Sequence, residues 1–217
     1  MDYSQIRLLG DNVLLRKDEE FSEPEKVGSI YIPKTTSATL REAKLGRIVS
    51  TGPGKRTKET GAPVPHNLVT DDLVYYARYG GDRFKDAEDG SMMIRCPEMS
   101  ILARVYPLDG KITIGSIFPR HNKMLVKEIK GDETTSSGLI IPKRQIDPDK
   151  QVTEFKVITV GPGKVNYVNG HRTPMTCVPG GKVIAADMNG AKISIWEEGV
   201  RCEYRLISES DCYCFYS

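Results

Sequence analysis

The feature that most constrains this chain is that it is written twice. Residues 31–34 read Tyr-Ile-Pro-Lys and residues 140–143 read Ile-Ile-Pro-Lys, while residues 52–55 and 161–164 both read Gly-Pro-Gly-Lys. From Pro33 to Pro142 and from Gly52 to Gly161 the separation is 109 positions, so two separate motifs share one register. The likeness extends upstream, where residues 13–17 resemble residues 124–128 at a separation of 111. Downstream, Leu73-Val74-Tyr75 aligns with Val183-Ile184-Ala185 at a separation of 110. Length changes of this kind fall in polar segments, as loops tolerate and strands do not. The 217 residues therefore divide into two domains, residues 1–107 and 112–217, on either side of the turn-forming cluster Pro107-Leu108-Asp109-Gly110.

Each copy reads as β structure. Val and Ile gather in short runs, and the 20 Gly and 13 Pro mark many turns. Opening strands are expected at residues 6–16 and 117–127. Further strands are expected at 45–51, 73–77, 92–95 and 101–106 in the first copy. Their counterparts in the second are 155–160, 183–186, 192–196 and 212–216. Each Gly-Pro-Gly permits a sharp turn, since Gly takes positive φ and Pro fixes φ near −65°. The turn-rich segments that follow, 55–67 and 164–177, are expected to form hairpins. No segment shows a helical period.

Each copy also carries an aliphatic triplet between polar flanks. Residues 17–26 are charged, Gly28-Ser29-Ile30-Tyr31-Ile32 follow, and residues 34–44 are polar again. Residues 127–137 are polar, Gly138-Leu139-Ile140-Ile141 follow, and polar residues return from Lys143. Two readings are open, a short core strand or an apolar payload on a flexible tether, and the last residue of each triplet could anchor the loop base. Polar flanks on both sides, in both copies, favour the tether. Burying one such side chain contributes about 1.5–3 kcal/mol, less the cost of ordering the loop. One loop would bind weakly, and several on one assembly would bind strongly through effective concentration.

Other chemistry is weakly supported. Net charge is +2, which gives no electrostatic footprint for nucleic acid or an anionic membrane. No stretch approaches a membrane span, and residues 1–9 show no signal pattern. Five cysteines without regular spacing fit a reducing cytoplasm better than a disulfide framework. Cys212 and Cys214, with Cys202 and His171, lack the spacing of a zinc knuckle, so no metal is expected. His66, His121 and His171 lie in loop-like contexts without a nucleophile signature. Asp71-Asp72 and Glu197-Glu198 read as solvated turns. No cofactor is implied.

The order of these motifs resembles the co-chaperonin family of GroES. Leu9-Gly10-Asp11-Asn12-Val13-Leu14-Leu15 is similar to that family's N-terminal signature. Gly46-Arg47-Ile48-Val49-Ser50-Thr51-Gly52-Pro53-Gly54-Lys55 is closer still, and Arg78-Tyr79-Gly80-Gly81 and Ser208-Glu209-Ser210-Asp211 also match. The tandem arrangement resembles the double-domain co-chaperonin of chloroplasts, with bacterial and phage forms equally open. The resemblance implies an all-β fold of two tandem barrels with mobile loops and roof hairpins, and no enzyme activity. It implies a non-covalent lid that caps an ATP-loaded GroEL-type chaperonin and assists the folding of its substrates. Chaperonin docking would fall on Gly28, Ser29, Ile30, Tyr31 and Ile32, and on Gly138, Leu139, Ile140 and Ile141. Subunits would join first strand to last strand, through Ile6, Leu8, Ile101, Val105, Ile117, Tyr213 and Phe215. The product would be a ring-forming homo-oligomer, or one mixed with a single-domain co-chaperonin. Its location would be the cytoplasm, or the chloroplast stroma in a plant, although no transit peptide is seen. The copies depart from the pattern at Ser29, Tyr31, 119–122 and 187–190, as expected if one holds the ring and the other the partner. The rival reading is a structural or scaffold oligomer, such as a virion component, that keeps the barrel without chaperonin binding. An oligonucleotide-binding barrel is disfavoured by charge and scarce aromatics.

Overall fold

The structure, a computed structural model, describes residues 7–18, 21, 26–27, 30–31, 42–86, 89–129, 152–187, 189–197 and 199–216. The first copy supplies β1 (Asn12–Lys17), β2 (Lys26–Val27), β3 (Ile30–Tyr31), β4 (Ala43–Thr51), β5 (Leu73–Ala77), β6 (Asp82–Lys85), β7 (Met92–Pro97) and β8 (Ile101–Val105). The second supplies β9 (Ile117–Pro119), β10 (Lys123–Glu128), β11 (Val152–Val160), β12 (Lys164–Val165), β13 (Arg172–Thr173), β14 (Lys182–Ala186), β15 (Ala191–Glu197), β16 (Val200–Ser208) and β17 (Cys212–Tyr216). Helical structure among the described residues is confined to single 3-10 turns such as Glu98–Ser100 and Glu209–Asp211. The all-β, two-copy reading therefore holds.

Two sheets carry the molecule. One runs β6-β7-β1-β4-β5-β8-β9 and the other β15-β16-β10-β11-β14-β17. The strand pairings repeat residue for residue. Leu15 lies opposite Ile48 as Val126 lies opposite Val157, and Ala43 opposite Ala77 as Val152 opposite Ala186. Even the bulges coincide, between Tyr75 and Tyr76 and between Ile184 and Ala185. These ladders correct one expected correspondence. The counterpart of Leu73 is Lys182, at a separation of 109, and Val74 matches Val183 as a buried core position. A one-residue slip exchanges the two faces of a strand, so the earlier alignment mis-assigned which side chains point inward.

The opening strands are shorter than expected. Copy one begins at Asn12, and copy two is broken between Pro119 and Lys123. The break has a backbone cause: Gly10 has φ +62° and His121, 111 positions on, has φ +52°. His121 accepts the left-handed conformation that glycine takes freely. The repeated Gly-Pro-Gly packs onto this same bend. A Cβ on Gly52 would lie 2.4 Å from the Gly10 carbonyl oxygen, and one on Gly161 would lie 2.4 Å from that of His121. β16 had no counterpart in the sequence reading, although it spans the second sheet from Val200 to Ser208.

Each copy has its own core. Val13, Leu15, Ile48, Val74, Tyr76 and Ile101 fill the first, and Met124, Val126, Phe155, Val157, Val183 and Ile207 fill the second. A third core belongs to neither copy alone. Leu45, Leu73, Tyr75, Leu102 and Val105 from copy one pack with Ile117, Leu125, Ile193, Ile195, Tyr204 and Leu206 from copy two.

Candidate assembly and docking surfaces

The two copies meet where copy two lends its opening strand to the sheet of copy one. β9 belongs to copy two, yet it pairs antiparallel with β8, the last strand of copy one, with Val105 opposite Ile117 and Ala103 opposite Pro119. The Arg120 amide donates to the Leu102 carbonyl at 3.0 Å, and the Tyr106 amide donates to Ser116 at 2.9 Å. Tyr106 and Phe118 stack edge-on at 5.5 Å. The expected interface residues Ile101, Val105 and Ile117 are buried here, although Ile101 packs in the core of copy one.

The roof segments join at the same boundary. The Lys58 amide donates to the Tyr167 carbonyl at 3.0 Å, and the Glu59 amide to the Val168 carbonyl at 3.1 Å. In copy two the hairpin is a true ladder of β12 and β13, and in copy one it is the isolated bridge Arg56–Pro63.

A buried polar cluster lies beneath this roof. Arg120 Nη2 donates to Glu98 Oε1 at 2.6 Å and to the His66 carbonyl at 2.8 Å. His121 Nε2 lies 3.2 Å from the same carboxylate oxygen, an ion-pair distance whose angle makes no hydrogen bond. Burial pushes the Glu98 carboxyl up, but His121, Arg120 and His66 outweigh it and hold the group below its ordinary value. Burial holds the Arg120 guanidinium below its ordinary value. Glu98 offsets this, while Arg104 and Arg172 add to it. Arg104 itself pairs with Asp72 at 2.9 Å. Asp72 is buried and caps its turn through the Val69 amide at 2.9 Å, so the expected solvated turn holds for the exposed Asp71 and is corrected for Asp72. Sequence reading missed this cluster because Glu98 and Arg120 belong to different copies and carry no local pattern.

β17 is the counterpart of β8, and it ends its sheet. Leu102 and Val105, on β8, are 6% and 2% exposed beneath copy two, whereas their counterparts Tyr213 and Tyr216 are 68% and 41% exposed. In the β8–β9 ladder, Leu102 and Arg104 turn their backbone polar groups toward β9, and the same parity turns those of Tyr213 and Phe215 toward the open edge. Of the interface residues expected in the opening segment, Leu8 is half-buried outside any strand and Ile6 lies outside the described residues.

The docking triplets are only partly described. Ile30–Tyr31 pair antiparallel with Lys26–Val27 in a two-stranded ladder separate from both sheets. Gly28, Ser29, Ile32, Gly138, Leu139, Ile140 and Ile141 lie outside the described residues. At the loop base, Asp18 is buried, accepts from the Arg47 guanidinium at 2.9 Å and from the Phe21 amide at 3.0 Å. Phe21 packs on the shared core.

Among the described residues the five cysteines are free, and no cluster of three His, Cys, Asp or Glu side chains could hold a metal. No helix among them is long and apolar enough to cross a membrane.

Comparison with known proteins agrees with this geometry. The model of the chaperonin 10 kDa subunit family matches twice, over residues 5–105 and 116–216. Co-chaperonin GroES of Corynebacterium kroppenstedtii is 34% identical over 96 residues, covering 44% of this chain and 89% of that protein. Co-chaperonin GroES of Nocardioides sp. is 31% identical over 96 residues (44% and 91%), and that of Kineococcus radiotolerans 36% over 78 residues (36% and 76%). Each relative thus spans about one copy. With each of its halves matched by the family model and the second half's opening strand completing the first half's sheet, the chain belongs to the chaperonin 10 kDa subunit family as a tandem double-domain member.

Proposed function

We propose that this protein is a cytoplasmic co-chaperonin that closes into a ring and caps an ATP-loaded GroEL-type chaperonin. The observation that carries the reading is the junction itself. β8 is covered by the opening strand of the following copy, while its counterpart β17 is bare. Transferring the β8–β9 register by the repeat places residues 6–8 of the next chain against β17, with Arg7 opposite Phe215. Each chain then offers the edge of one closing strand, β17, and one opening segment to cover another, a head-to-tail contact that closes when the rotation permits.

The chaperonin is met by the two triplets, Ile30-Tyr31-Ile32 and Leu139-Ile140-Ile141, with Gly28, Ser29 and Gly138 at their turns. The family match and the separateness of the β2–β3 ladder from both sheets support this. The protein contributes binding energy and enclosure, and ATP hydrolysis belongs to the partner. Native mass spectrometry of the full chain, alone and with a GroEL-type chaperonin plus ATP, tests the reading. A closed oligomer that joins the chaperonin only with nucleotide, and stops doing so when both triplets are changed to serine, is expected. A closed oligomer that ignores the chaperonin would favour a scaffold role.

A further inference from the structure

A cavity lies beneath the roof, at the junction of the two copies. It has a volume of about 170 Å³, opens to one side, and is lined by Glu98, Arg104, Arg120, His121, Tyr167 and Arg172, among others. At about 30 Å³ per water, that is room for roughly six waters, or for one small oxyanion with some hydration left. Three guanidiniums and one carboxylate, Glu98, line it, and even with Asp72 counted through its 2.9 Å pair with Arg104 the site keeps an excess positive charge. His66 offers the cavity no free ring nitrogen, since its Nε2 is bonded to the Gly52 carbonyl and its Nδ1 accepts from the Leu68 amide.

Buried donors here lack acceptors. Arg120 is 8% exposed, and its Nη1 has no hydrogen-bond partner although its Nη2 has two. Arg104 Nε is also buried without a partner. Leaving a charged donor unsatisfied in a low-dielectric site costs more than leaving a neutral one, and a planar guanidinium suits an oxyanion. Arg172, on β13, is exposed and bonds only the Gly163 carbonyl at 3.1 Å among the contacts seen.

This chemistry does not recur with the repeat. The copy-two counterparts of Glu98 and Arg104 are Glu209 and Phe215, and the Glu209 carboxylate is taken up by the Thr176 and Cys177 amides at 2.6 and 2.8 Å. The copy-one counterparts of Arg120, His121 and Arg172 are Leu9, Gly10 and Pro63. A junction between chains would therefore lack the arginines. We infer that the intrachain junction holds a binding site for one small oxyanion of phosphate type per chain, formed by Arg104, Arg120 and Arg172 between the two copies.

Isothermal titration of the full-length chain with inorganic phosphate, at constant ionic strength set by chloride, tests this. One phosphate per chain is expected, with binding weakened about tenfold or more in Arg172→Gln, which loses one charged donor from an exposed position. Lys85→Gln, on exposed β6, should bind as the parent does. The proposal is overturned if chloride alone matches phosphate, if no saturable binding appears, or if Arg172→Gln binds like the parent. A folded Arg172→Gln is verified by circular dichroism, and Arg104→Gln serves as the second variant with the same expected loss.

Discussion

At the residue scale, the two cores solve one packing problem in two ways. A Cβ on Gly46 would lie 3.0 Å from the Arg16 carbonyl oxygen and 3.2 Å from the Tyr76 ring. In copy two the corresponding positions hold Phe155 and Ala185, both fully buried. The aromatic ring thus arrives from β5 in one copy and from β11 in the other, and the facing residue is small each time. Gly46→Phe alone should destabilise by about 1–3 kcal/mol through overpacking. Adding Tyr76→Ala should recover part of that loss in urea denaturation, and no recovery would refute the swap. Glu98 gives a second prediction. Its folded carboxyl titrates below the ordinary 4.5, so the unfolded chain takes up the proton first as pH falls. The stabilisation is complete above the unfolded value and drains away as pH falls through the folded one. Urea midpoints from pH 7 down to 3 should show an acid-side loss that is smaller in Glu98→Gln, the remainder coming from carboxyls such as Asp187. The variant should also be weaker at pH 7 by about 3–5 kcal/mol, because Arg120 loses its buried partner.

At the element scale, β8 and β17 show the same strand in two states. The sequence marks both as closing strands of similar character, yet one is an inner strand and the other an edge. Edge strands invite pairing, and Tyr213 and Tyr216 leave apolar area on this one. Tyr213→Asp places a carboxylate where the next chain's opening segment is proposed to lie. Because Tyr213 is exposed in the single chain, the fold should persist, with an unchanged far-ultraviolet circular dichroism spectrum. Gel filtration should show the closed oligomer replaced by smaller species. An oligomer of parental size would remove β17 from the assembly contact.

For the whole molecule, the shared core makes the two copies one cooperative body. Leu45, Leu73 and Tyr75 bury against Ile193, Ile195 and Tyr204, so neither copy keeps its surface covered without the other. The counterpart face of copy two is more polar. Glu154 pairs with Lys182 at 3.1 Å and accepts a hydrogen bond from the Tyr216 hydroxyl. The intrachain junction thus resembles a divided core, and the proposed interchain junction a more polar contact of the kind that forms between folded partners. Scanning calorimetry should give a single transition, and Tyr204→Ala, a loss of about 3–5 kcal/mol, should shift all of it. Two separable transitions would mean that the shared core does not couple the copies.

The sequence by itself determined the repeat, the β character and most strand positions, because short apolar runs and Gly-Pro-Gly turns are local signals that recur at fixed spacing, and the order of its motifs carried the resemblance to the family. β5 and β17 lie where their runs of Leu, Val, Tyr and Phe predicted. Tertiary structure alone decided the register by which Leu73 matches Lys182, since bulges shift pairing without leaving a mark in composition. It also decided that β9 completes the sheet of copy one, that the third core lies between the copies, and that Glu98 and Arg120 meet in a cavity. Each of these joins groups distant in the chain, and pairing across such distances is settled by burial and hydrogen bonding, which no short stretch of sequence records.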